Sequence, residues 1–180
     1  MGSKFFDLHL ADPGRIAGLV RGDQPDLVEQ LQRRESPPDP RLEPAFALMA
    51  RGTFVFLPKG REHPEGLLYS RAVEYLLVEF GERRWGIEFY PDEDEDALWQ
   101  LAFGRCEAAW LDLPHADTGI ATIGWRSPKT CGGLAWSLAR RLADATFNPR
   151  YISAASLTEV IEALERGSSS EHGLFAIYQA

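Results

Sequence analysis

The sequence predicts an α+β (or mixed α/β) fold: a small mixed or antiparallel sheet of about four to five short strands packed with about six helices. Three observations lead to it. Lys4–Leu10 reads as a strand, because Phe6, Leu8 and Leu10 alternate with Asp7 and His9 in the period-two pattern of a half-buried strand. Leu174–Tyr178 is a continuous apolar run, the pattern of a more central strand. Between them, stretches with apolar residues three to four positions apart alternate with Pro- and Gly-containing breaks, so helices fill much of the intervening chain. The N- and C-terminal strands are expected to be neighbours in one sheet, which reads 1–180 as a single globular domain.

The elements follow in order. Asp12 at the N-cap and Pro13 at the first helical position start a helix with Ile16, Leu19 and Val20 facing inward, and Gly22 stops it. Pro25 repeats the logic for a helix through Arg34, with Leu27, Val28 and Leu31 on one face. The proline-rich stretch Glu35–Pro40 breaks the chain as a surface loop. Leu42–Ala50 returns to helical spacing, and Thr53–Leu57 is β-branched and aromatic enough to be extended. Leu67–Phe80 has the clearest helical period of the chain, through Leu68, Ala72, Tyr75 or Leu76, and Phe80, and is read as the central core helix closed by Gly81.

Trp85–Tyr90 is a short strand, Asp94–Gly104 an acid-capped helix, and Ala108–Leu113 an extended segment leading into a loop that runs to Trp125. Ser127-Pro128 opens a helix to Ala145 with Leu134, Leu138 and Leu142 spaced by four. The capping box Ser156-Leu-Thr-Glu159 starts a short helix through Leu164, and Gly167–Ser170 is a turn into the last strand.

Composition narrows the function classes. No apolar run approaches the roughly 20 residues needed to span a bilayer, and no apolar leader follows Met1, so a cytoplasmic location without membrane contact is expected. Cys106 and Cys131 lack Cys-x-x-Cys spacing and read as reduced thiols. The basic residues are sixteen Arg against three Lys, a skew typical of GC-rich bacterial genomes. The formal charge is −8, and Pro91–Asp117 supplies most of it, with eight carboxylates against Arg105. That balance argues against direct nucleic-acid binding, which needs clustered Lys and Arg, and leaves a basic protein partner or plain solubility.

The acidic run Asp92-Glu-Asp-Glu-Asp96 does not match a calcium loop, since Ala97 and Phe103 stand where Gly and Glu are required. It reads first as the solvated start of a helix, with a metal or basic-partner site as the sharper alternative. Cys131, in Lys129-Thr-Cys-Gly-Gly, lies near a helix N-terminus where a thiol pKa can fall. A thiol enzyme would draw its base from His115 or His172, whereas the plainer reading is an inert core cysteine. No two histidines stand four apart, and no phosphate-binding glycine loop or Gly-x-Ser-x-Gly elbow occurs, so neither a metal nor a cofactor is expected. Trp110 and Trp125 flank the loop containing His115 and Asp117, either anchoring it to the core or framing a binding surface.

The blocks Phe5-Phe-Asp-Leu-His-Leu-Ala-Asp-Pro13, Arg15-Ile-Ala-Gly-Leu-Val-Arg-Gly-Asp23, Tyr69-Ser-Arg-Ala-Val-Glu-Tyr-Leu-Leu-Val-Glu-Phe-Gly81, Leu113-Pro114 and Ile123-Gly124-Trp125 resemble small bacterial domains of unknown function, YfbM-like in the broad sense. The resemblance spreads over most of the chain but leaves out the Cys131 segment. It implies a compact α/β single domain and transfers no functional residue. The functional expectation is therefore a non-enzymatic protein-interaction module of the immunity or adaptor type. Its surface would be acidic and Trp-flanked, with Asp92, Asp94, Asp96, Trp110, Asp117 and Trp125 facing a basic partner. The alternative is a small thiol-dependent enzyme with Cys131 as nucleophile.

Overall fold

The computed structural model describes residues 4–33, 39–53, 66–89, 121–144 and 152–179. Four strands, β1 (Lys4–Leu10), β2 (Arg83–Phe89), β3 (Ala121–Arg126) and β4 (Leu174–Gln179), form one sheet in the order β2-β1-β4-β3. Every pairing is antiparallel, and β1 and β4 lie side by side at its centre with Leu8 opposite Ala176. Among the described residues six α-helices accompany it: α1 (Pro13–Arg21), α2 (Pro25–Gln32), α3 (Glu43–Ala50), α4 (Gly66–Phe80), α5 (Pro128–Ala143) and α6 (Ala154–Ser169). A 3₁₀ turn at Pro40–Leu42 leads into α3. The expected α+β class and the adjacency of the terminal strands are both found.

Local chemistry sets the helix ends. The Asp12 carboxylate accepts from Gly14 N–H, Pro13 occupies the first turn, and Gly22 closes α1 at φ +82°, where a glycine pays no Cβ penalty. Ser127 caps α5 through Thr130 N–H with Pro128 behind it. The cap of α6 is Ser153, accepting from Ser156 N–H, so this helix starts two residues before the capping box read at Ser156. It also continues to Ser169, through the predicted turn at Gly167–Ser170. Gly167 stays helical because it is a contact point: a Cβ there would lie 3.0 Å from Leu174 Cβ and 3.1 Å from Cys131 Sγ.

The sheet is covered on both faces. Leu8, Leu10, Trp85, Ile87, Leu174 and Ala176 point to a layer made by α5 and α6, packing on Cys131, Ala135, Leu138, Leu157, Val160 and Leu164. Ile123, Phe175 and Ile177 point the other way, into a larger core with Ile16, Leu19, Val20, Phe46, Met49, Val73, Leu76 and Leu77 from α1, α3 and α4. The helix α4 is indeed a core helix, although Tyr75 and Phe80 sit at its half-buried margin.

Two expectations change. The alternation in β1 predicts a half-buried strand, yet the residues on its polar side, Asp7 and His9, are buried too, because that side faces the α1–α4 layer next to Ile177 and Phe175. Ala121–Trp125, read as the end of a loop, is strand β3, whose Ile123 and Trp125 pair with Ile177 and Phe175. Of the extended segment predicted over Thr53–Leu57 only Thr53 is described, and its N–H bonds the Leu48 carbonyl at the end of α3; the rest of it, the helix Asp94–Gly104 and the extended segment Ala108–Leu113 lie outside the described residues.

Candidate functional site

The most unusual chemistry sits in the middle of the sheet. On the α1–α4 side of β1, Asp7 and His9 are two residues apart, and the β2 partner of His9 is Arg84. Arg84 donates to Asp7 through two bonds, Nε to Oδ1 at 3.1 Å and Nη2 to Oδ2 at 2.9 Å, a bidentate pair. Asp7 is 5% exposed, whereas the Arg84 side chain is 51% exposed, so the pair runs from the interior to the surface. Gly86, across the ladder from Asp7, is exposed and leaves this margin of the sheet without a side chain.

His9 is 1% exposed, and neither Nδ1 nor Nε2 has a hydrogen-bond partner among the described residues. A neutral imidazole offers one donor and one acceptor, and leaving either buried and unpaired costs about 1–3 kcal/mol. Burial pushes the His9 pKa down from 6.5 to about 4; the Asp7 charge pulls it up and the Arg84 charge presses it further down. At neutral pH the ring is uncharged. The trio thus combines a tethered guanidinium, a buried carboxylate and a neutral imidazole.

A second cluster stands at the end of the sheet where β1 leaves and β2 begins. The Trp125 indole N–H donates to the His172 carbonyl at 2.9 Å. The His172 ring lies between two carboxylates, Nδ1 4.0 Å from Asp12 Oδ1 and Nε2 3.6 Å from Glu82 Oε1. Gly173 makes the approach possible, at φ +77°, where a Cβ would stand 2.1 Å from the Arg126 carbonyl oxygen. In α1 the Arg15 guanidinium lies 4.7 Å from the centre of the Phe80 ring. A groove of about 370 Å³ on another side is lined by Asp39, Leu42, Arg71, Glu74, Tyr75 and Val78. The Asp39 carboxyl there is held down at about 2 by hydrogen bonds from the Arg41 side chain and backbone.

Of the residues singled out by sequence, Cys131 is fully buried between α5 and α6, and its thiol donates to the Arg126 carbonyl at 3.7 Å. Its backbone N–H already bonds Ser127 O, so it is not one of the free amides of the helix start. His172 faces Asp12 and Glu82 rather than this thiol. Asp92, Asp94, Asp96, Trp110, His115 and Asp117 lie outside the described residues. The chain between β2 and β3 departs and returns at the far end of the sheet from Trp125, since Phe89 pairs with Lys4 and Ala121 with Gln179.

Asp7, His9 and Arg84 escape a search for motifs, because their relationship lies across strands. A signal existed: pairing β1 with an all-apolar central strand already implies that both sides of β1 are covered, which turns Asp7 and His9 into buried polar groups. Among the described residues no cluster of three or more His, Cys, Asp or Glu side chains is arranged to hold a metal ion. Nor is any described helix long and apolar enough to cross a membrane. Comparison with protein-family models, with curated proteins and with solved structures finds no match to this chain.

Proposed function

We propose that this chain is a non-enzymatic protein-interaction module of the immunity or adaptor type, meeting a basic partner through an acidic surface flanked by tryptophan. The observation that carries the reading is the sheet-end cluster, where half-buried Trp125 is tied to the His172 backbone and the Asp12 and Glu82 carboxylates stand beside the His172 ring. An indole fixed at one edge by a hydrogen bond loses little freedom on binding, and neighbouring carboxylates attract Lys and Arg. The acidic stretch Pro91–Asp117 adds a long-range field of the same sign. A fully buried thiol gives a substrate no access to Cys131, so nothing in the geometry favours the thiol-enzyme alternative.

The test separates the two acidic regions. In Asp12→Asn with Glu82→Gln the sheet-end charge is removed while Asn still serves as the α1 N-cap. In Asp94→Lys with Asp96→Lys the acidic run is reversed. Tagged wild-type protein and both double variants are used to capture partners from lysate of the source cells at 50 and 300 mM salt (Debye lengths of roughly 14 and 6 Å). A basic partner that binds wild type at low salt and is lost from either variant supports the reading. Identical recovery by all three proteins sinks it.

A further inference from the structure

The outer side of α5 has a character unlike the rest of this acidic chain. Its sequence, Pro128–Ala143, contains Lys129, Arg140 and Arg141 and no carboxylate. The inner side is spoken for: Cys131, Ala135 and Leu138 are buried, and Leu134 and Leu142 pack against the same core. The outer side presents Lys129, Gly133, Trp136 and Arg140, spaced four, three and four residues apart, which places them along one stripe of the helix. Ala139 and Ala143 are exposed beside it.

Trp136 is the feature that needs an explanation. It is 64% exposed, one of two large hydrophobic side chains standing clear of the surface among the described residues. Its ring is held rather than loose, with the Arg140 guanidinium 4.8 Å from the ring centre. Gly133, one turn earlier, is open: a Cβ there would meet nothing within 4 Å. A pre-oriented indole with a bare backbone step in front of it and small alanines alongside lets a second chain approach closely. Trp and Arg are the residues most often found to dominate binding energy.

We propose that this face of α5 is a docking surface for an acidic protein segment, with Trp136 as the anchor and Lys129 and Arg140 as its charge partners. The occupant follows from charge complementarity, since the stripe offers two cations and one large apolar ring, with a single carboxylate, the exposed Asp144 at the helix C-cap, at its far end. The inference is independent of the sheet-end reading. If both surfaces bind, the protein joins a basic partner to an acidic one, which is what an adaptor does.

The probe is a synthetic 15-residue peptide of alternating Glu and Asp with a central leucine pair, a length of about four helical turns, titrated into ¹⁵N-labelled full chain. The control is the same peptide with Lys in place of the acids. The expected result is saturable shifts of the Trp136 indole N–H and the Gly133 amide with the acidic peptide alone. Affinity falls about tenfold in Trp136→Ser, as for an anchor worth about 1.4 kcal/mol, and falls further as salt rises. Arg140→Glu, a change at an exposed position, weakens binding similarly and guards against a folding artefact. Shifts centred elsewhere, no shifts, or equal response to the Lys peptide overturn the proposal. So does Trp136-dependent self-association in sedimentation, which would assign the face to a second copy.

Discussion

Replacing His9 with phenylalanine tests whether the centre of the sheet holds an uncompensated polar ring. Phenylalanine carries no nitrogen but its ring is one atom larger than imidazole, so the change removes two buried, unpaired polar atoms and adds some volume at a packed site, an overpacking that His9→Leu largely avoids. At pH 7 the variant should be more stable by about 1–3 kcal/mol. For a chain of this length that raises Tm by roughly 2–4 °C per kcal/mol.

The pH dependence gives an independent second reading. Above pH 6.5 the ring is neutral whether the chain is folded or unfolded, so it contributes no slope. Between 6.5 and about 4 the unfolded chain takes up a proton that the folded chain refuses, and stability falls as pH falls. The loss amounts to about 3 kcal/mol once pH reaches the folded value. The phenylalanine variant lacks this loss, so its advantage should widen by about 2–3 kcal/mol between pH 7 and pH 4. Urea unfolding followed by far-UV circular dichroism at both pH values measures the gap, with His9→Leu as a control for shape. Destabilisation of both the phenylalanine and the leucine variant at pH 7 by more than about 1 kcal/mol would mean that the nitrogens are hydrogen-bonded in solution, whereas loss in the phenylalanine variant alone reports overpacking. A gap that does not change with pH would mean that the ring is not buried in its neutral form.

Other consequences are as direct. Arg84→Ala leaves the Asp7 carboxylate buried without its bidentate partner, and should cost about 2–4 kcal/mol in urea unfolding. The same change should raise the His9 pKa, seen by NMR titration of the ring, because the Arg84 charge helps to depress it. Gly167→Ala should cost about 1–3 kcal/mol by crowding Leu174 and Cys131, measured by the same unfolding assay. Iodoacetamide should leave Cys131 unmodified in the folded protein and label it in urea. Rapid labelling of Cys131 under native conditions would contradict its burial and revive the thiol-enzyme reading.

The sequence is most legible where local chemistry decides the structure. Asp12 with Pro13, Gly22, and Ser127 with Pro128 set helix ends through hydrogen bonds made within a few residues, and all three are where they were read. It is least legible where a distant contact overrides a local signal. The capping box at Ser156 is a real pattern, but Ser153 caps earlier. Gly167, a turn former by composition, stays helical because Leu174 and Cys131 pack against it. Ile123-Gly124-Trp125 looks like loop until β4 supplies a partner for each residue. The Asp7–His9–Arg84 trio is invisible for the same reason, since Arg84 is 77 residues from Asp7 and meets it only through the β1–β2 register. The sheet-end cluster shows the mixed case: Trp125 and His172 could be picked out as residues, but their closeness to Asp12 and Glu82 is a property of the sheet.

The strand order has a consequence for how the chain acquires its structure. β4 is the last of the four strands to be synthesised, and it sits between β1 and β3. Until Leu174–Gln179 is available, β3 has no neighbour in the sheet among the described residues, and Phe175 and Ile177 are missing from one core while Leu174 and Ala176 are missing from the other. The two helix layers therefore share a keystone that arrives at the end. Assembly should wait for it, so a ribosome-stalled chain lacking β4 should be readily digested by protease along its whole length rather than protected in part.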